Sequence, residues 1–166
     1  MRTVTSFLTV MTYTALTLGA TAASAALDCV AAVEVELDGT YVGDNTGLPD
    51  NVTRYGCSDW NETGGEVVHH LHLGAPHFFA VSLSGACDLD LAVLDACDEN
   101  LGCMQVTDDG IVTSGALAGD FYLVVDGYAG AACAFELTLE DLGLPNRALT
   151  FGQVKALYGR DRSRVR

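Results

Sequence analysis

Asp44, Asn45, Asp50, Asp59, Glu62 and Glu66 fall within one stretch, DNTGLPDNVTRYGCSDWNETGGE, that carries no strand or helix period. Carboxylate and amide oxygens gathered on a flexible segment are the donors calcium takes, six to eight at a time and in irregular geometry. The spacing is not that of an EF-hand loop, so the signal is compositional. Two readings stay open: a Ca2+ site with Asp44, Asp50, Asp59, Glu62 and Glu66 as its metal ligands, or the solvated loop of an acidic protein. A second set, Asp88, Asp90, Asp108, Asp109 and Asp126, gathers only if strand ends converge, and strand alternation otherwise sends these residues to solvent.

His69, His70 and His72 follow that loop, and His77 comes soon after. His70 and His72 share a strand face, a geometry that can hold zinc or copper with Glu66 or His77 as a third ligand. Partly exposed strand histidines are the plainer account. The HExxH arrangement of helical zinc hydrolases is absent, as is a GxSxG nucleophile elbow. No Cys-His nucleophile signature stands out, and carboxylate pairs are too common in this chain to single one out. Catalysis is therefore not expected.

These residues need a scaffold, and the chain supplies one of ordinary domain size. Met1-Arg2, an apolar run from Phe7 to Leu18 and the ending Ala23-Ser24-Ala25 have the three parts of a secretory signal peptide, assigned to residues 1–25. No later window is apolar for the ~20 residues of a membrane helix. The expected location is outside the cytoplasm, secreted, periplasmic or at the cell envelope. From residue 26 to 142 there are 21 acidic residues and one base, Arg54. Such a surface repels nucleic-acid phosphates and attracts cations. Residues 143–166 reverse the sign, with Arg147, Lys155, Arg160, Arg162, Arg164 and Arg166 against Asp161.

Six cysteines, Cys29, Cys57, Cys87, Cys97, Cys103 and Cys133, all follow the cleavage site, and an even count in an exported chain argues for three disulfides. Fifteen pairings are open to six cysteines. The preferred set is Cys97–Cys103 as a loop staple, Cys87–Cys133 between strands and Cys29–Cys57 at the N-terminus, with sequence proximity favouring only the first.

The alternation of side chains predicts strands. Residues 30–43 read as a hairpin turning at Asp38-Gly39. Val67 to Leu73 is a strand with Val67, His69, Leu71 and Leu73 inward, which Ala75-Pro76 breaks before a second strand from His77 to Leu83. Asp88 to Leu94 places Leu89, Leu91 and Val93 on one face. Met104 to Thr107 and Ile111 to Thr113 pair around Asp108-Asp109-Gly110. Ala118-Gly119-Asp120 is a turn into the strand Phe121 to Asp126, the centre of the sheet together with Asp88 to Leu94, and Cys133 to Leu139 is the last strand. Residues 44–66 form a long loop pinned by Cys57 and Trp60, because unstructured loops above ~12–15 residues are uncommon in compact domains. Eight or nine short strands without a helix before residue 145 predict an all-β, disulfide-stapled β-sandwich with jelly-roll-like or Greek-key connections. In the tail, Thr150 with Gln153 makes a capping box, and Phe151, Val154 and Tyr158 lie on one stripe of a short C-terminal helix.

The segments GDNTGLPDNVTRYGCSDWNETGGEVVHHLHL, DLDLAVLDACDENLGC and LAGDFYLVVDGYAGAACAFELTL, in that order, resemble bacterial pre-peptidase C-terminal (PPC) domains over about residues 40–140. The turn-strand LAGDFYLVVDGY and the acidic strand DLDLAVL are the specific parts. The resemblance implies a non-catalytic β-sandwich accessory module of a secreted or envelope protein. It further implies calcium binding and attachment to an extracellular polymer or protein, as in similar modules of secreted collagenases. The expectation is thus a binding module with Ca2+ support. Its alternative is a structural subunit of a surface layer or fibre, in which the basic tail of one copy self-associates with the acidic body of the next. A third use of the tail is as a sorting signal.

Overall fold

The computed structural model describes residues 27–108, 110–112 and 115–143. The expected leader and the expected tail helix lie outside them. Among the described residues eight strands form: β1 (Val33–Val35), β2 (Thr40–Asp44), β3 (Val67–Gly85), β4 (Leu89–Leu94), β5 (Cys103–Thr107), β6 (Gly110–Val112), β7 (Leu117–Gly127) and β8 (Ala134–Gly143). The path of hydrogen-bonded neighbours runs β2-β8-β3-β7-β4-β5, with β1 and β6 also paired to β3. Every pairing is antiparallel except β1 with β3. Among the described residues no helix is long and apolar enough to cross a membrane.

The organising strand is β3, and it corrects the expected break at Ala75-Pro76. Its 19 residues run without interruption from one half of the fold into the other. The first part pairs with β7 from Val67↔Val125 to Leu73↔Gly119, and the second with β8 from Phe78↔Gly143 to Gly85↔Phe135. The register with β7 shifts between Leu73 and His77, so Pro76 sits in an irregularity where its missing N–H costs no ladder bond. Opposite it, Gly119 has φ of 110°, which only glycine adopts freely. The expected turn at Ala118-Gly119-Asp120 is therefore the irregular opening of β7 itself.

Two expected hairpins separate into different partners. A turn does form at Asp38, which has φ of 61°. The strands it joins diverge, however: Val33–Val35 adds in parallel to β3 and Thr40–Asp44 pairs with β8. Likewise β5 pairs with β4 and β6 with β3, not with each other.

One core lies between the two halves, a sandwich-like arrangement. Leu71, Leu91, Leu123 and Val125 of the β3-β7-β4 half meet Phe79, Val81, Phe135, Leu137 and Leu139 of the β3-β8 half. Phe79 and Phe121 are in ring contact at 6.0 Å. Burying each such side chain contributes about 1.5–3 kcal/mol.

The other face of β4 and β7 is covered too. Leu27, Val52 and Tyr55 from the N-terminal segment and the long loop pack on Val68, Ala92, Leu94 and Val124. Every residue of β4 is consequently buried, which strand alternation did not predict for Asp90. Two disulfides hold this outer layer, Cys29–Cys97 and Cys57–Cys103, and the third is Cys87–Cys133 as expected. The expected Cys97–Cys103 and Cys29–Cys57 bonds are thus corrected. Cys103 stands opposite Leu94 in the β4/β5 ladder, so Cys97 and Cys103 are each free to reach outward to the layer.

Candidate functional site: an acidic pocket at the end of the outer layer

The structure scatters the five acidic loop residues. Asp44 ends β2, exposed, and accepts the Thr46 amide at 2.8 Å; the Thr46 side chain, then that amide, lower its pKa. Asp50 is exposed. Asp59 is exposed and 3.8 Å from Arg54, a solvent-screened pair of small worth. Glu66 is buried and works as an internal cap, accepting the backbone amides of Asn51 (2.6 Å) and Val52 and so shaping the loop. Burial raises its pKa while those amides pull it back.

Glu62 alone goes elsewhere. The loop around it is strapped to the end of β7: Thr63 and Gly64 donate to the Gly127 carbonyl at 3.2 and 2.9 Å, and Ala129 donates to Asn61 at 2.9 Å. Glu62 thereby faces Tyr128 in an antiparallel bridge. The strap needs glycine at 127, where a Cβ would stand 1.8 Å from the Ala131 carbonyl oxygen. Tyr128 in turn donates its amide to Asp88 at 3.1 Å, tying the strap to the start of β4.

The strap places the Glu62 carboxyl, 0% exposed, beside Asp90 of β4, 2% exposed. The register Leu91↔Thr107 brings Asp108 up to Asp90 from the neighbouring strand end. Asp88, Asp90 and Asp108 then line an open pocket of about 230 Å³ whose remaining walls are Trp60 and Tyr128. Both carboxyl oxygens of Glu62 and Oδ1 of Asp90 are buried with no donor group beside them, so they can pair only with each other's carboxyls, and only while a proton is held between them. As charges they are costly to bury, because the lost hydration is not replaced.

The electrostatics follow from that crowding. Burial, then the Asp90 carboxylate, pushes Glu62 up to about 8. Burial pushes Asp90 up to about 6, with Asp108 and Asp88 adding to it. Next to them Asp126, also raised by burial to about 7, accepts the Tyr55 hydroxyl at 2.9 Å and the Gly127 amide at 2.6 Å. Without a counter-charge these acids keep their protons to higher pH than ordinary carboxyls, Glu62 furthest; a cation offers the alternative, since calcium binds carboxylate oxygens. Among the described residues no three acidic or histidine side chains already surround a common metal position.

The strand ends do converge in part, bringing Asp88, Asp90 and Asp108 together, but the loop residue Glu62 was not expected beside them. Asp88, Asp90 and Asp108 belong to the second acidic set, and Asp109 lies outside the described residues. Trp60, expected to pin the loop, is 38% exposed at the pocket rim, and Cys57 does the pinning.

The histidines separate by face. His69 points into the core, its Nδ1 3.2 Å from the Leu123 carbonyl, and burial lowers its pKa. His70 and His72 lie on the outer face and converge on Asp120 of β7. His77 stands apart with Asp141, and Glu66 is committed to its cap, so neither reaches them.

No family model matches the chain, and a search of curated proteins returns no match. Among solved structures, the chain is similar to the pre-peptidase C-terminal domain of a collagenase from Bacillus anthracis. That likeness has a TM-score of 0.48 and 15% identity, covering 66% of this chain and 94% of the other. No functional residue is carried across from it.

Proposed function

We propose that this chain is an exported, non-catalytic accessory module of the cell envelope or extracellular space. It works by binding, with Ca2+ held at the pocket lined by Asp88, Asp90 and Asp108, next to the buried Glu62. The observation that carries this reading is the buried carboxyl pair Glu62 and Asp90, which has no donor or cationic group beside it, where Asp90 lines a pocket with further acids. Hard oxygens of that number and charge fit calcium better than a borderline metal, which prefers imidazole or thiolate. Calcium there would neutralise the cluster and fix the strap, Trp60 and Tyr128. The extracellular polymer or protein ligand would then bind over those two aromatic rings, which present stacking surface next to a polar floor. Three disulfides support the oxidising, extracytoplasmic location.

The test is the thermal melt of the purified protein in Ca2+ and in chelator at fixed pH. Binding to the folded state at 100 times Kd contributes about 2.7 kcal/mol, a shift of several degrees at this size. The shift is expected to vanish in Asp90→Asn. A shift retained in that variant, or none at millimolar Ca2+, sinks the calcium reading and leaves tail-driven assembly to be tested by removing residues 146–166.

A further inference from the structure

We propose that His70, His72 and Asp120 form a separate site for a borderline transition-metal cation, Zn2+ or Cu2+, with Glu34 as the positioning residue for His70. The pairings of β3 assemble it: Glu34 of β1 stands opposite His70, and Asp120 of β7 opposite His72. Asp120 Oδ1 lies 3.2 Å from His70 Nε2 and 2.7 Å from His72 Nδ1. In a tetrahedral site with bonds near 2.0–2.1 Å, neighbouring donor atoms stand roughly 3.3 Å apart. Of the donor-to-donor edges, 3.2 Å is near that spacing and 2.7 Å is shorter, so His72 and Asp120 must open slightly around the ion. As the chain stands, Asp120 shares protons with both imidazoles and no metal position is enclosed; the cation takes the place of those protons.

The surroundings of His70 are those of a prepared ligand. Both Glu34 oxygens meet its Nδ1, at 2.9 and 3.0 Å, which makes Nδ1 the protonated nitrogen and leaves Nε2 to bind metal. A carboxylate behind a ligating histidine in this way orients the ring and raises its basicity. Tyr122 stacks on the same ring at 5.1 Å and 26°. His72 and Asp120, 62% and 56% exposed, leave the site open to entry. All six cysteines are in disulfides, so no thiolate competes for the metal. Imidazole donors select against calcium, and six strand residues, roughly 20 Å at about 3.3 Å each, separate Asp120 from Asp126 beside the acidic pocket.

The experiment is titration of the full-length protein with Zn2+ by calorimetry and with Co2+ by visible absorption, whose bands report nitrogen and oxygen coordination. One ion per chain is expected. His72→Gln, an exposed change that leaves folding intact by circular dichroism, should weaken it at least tenfold, and Glu34→Gln by about 10–100-fold. His77→Gln should leave it unchanged, as should Ca2+ in excess. No Co2+ band, or binding that survives His72→Gln or is lost equally in His77→Gln, overturns the proposal and leaves the cluster as cross-strand ion pairs.

Discussion

The Tyr55 hydroxyl donates to Asp126 Oδ2 at 2.9 Å, joining the outer layer to the end of β7 through a fully buried bond. The bond sits where the loop, the strap and the acidic pocket meet. Its carboxyl is held up to about 7 by burial. Tyr55→Phe strands part of a buried carboxyl and should lower stability by about 1–3 kcal/mol, read from denaturant unfolding.

The pH dependence follows from the same carboxyl. Asp126 has a folded pKa near 7 against 3.8 when unfolded, so between these values the folded state binds more protons. Its contribution is complete below pH ~4 and is lost as pH rises through about 7. In chelator, unfolding free energy should fall from pH 5 to pH 8, with Asp90 and Glu62 acting in the same sense. Asp126→Asn should make that profile shallower, and an unchanged slope would refute the assignment.

Glu62→Gln removes a buried charge and keeps the shape. In chelator at pH 8 the variant should melt above the parent protein, because no carboxylate remains to be desolvated or repelled by Asp90. In Ca2+ the order should reverse.

Non-reducing peptide mapping should recover Cys29–Cys97, Cys57–Cys103 and Cys87–Cys133. Replacing Cys57 and Cys103 together by serine opens a cross-link between residues 46 apart in sequence and should cost about 4 kcal/mol. Because that bond pins the loop carrying Glu62, the calcium response should weaken with it.

Gly127→Ala would press a methyl group onto the Ala131 carbonyl and unseat the strap. A loss of about 2 kcal/mol or more is expected, as for other changes that force backbone to move.

Much of the fold is legible in the chain itself. Alternating residues in Val67–Leu73, Leu89–Leu94 and Phe121–Asp126 mark strands and their core faces, since side chains on a pleated backbone repeat every two residues. The inward His69 follows from the same pattern, while Cys87–Cys133 matches a preference that no spacing had favoured. What alternation leaves open is the identity of the neighbour. It did not reveal that β1 joins β3 in place of β2, that β3 continues through Pro76, or that a loop covers the outer face of β4.

The site divides along the same line. Acidic composition alone carried the expectation of a cation, because carboxylate density needs no fold to be seen. Which carboxylates meet was decided by tertiary structure: Glu66 turned inward to cap its own loop, while Glu62 was carried by the strap to Asp90. Local sequence determines the conformations and faces a segment prefers. Partners distant in sequence come together only when the whole chain buries its apolar surface, and it is that burial which strips water from Glu62 and Asp90 and raises their pKa.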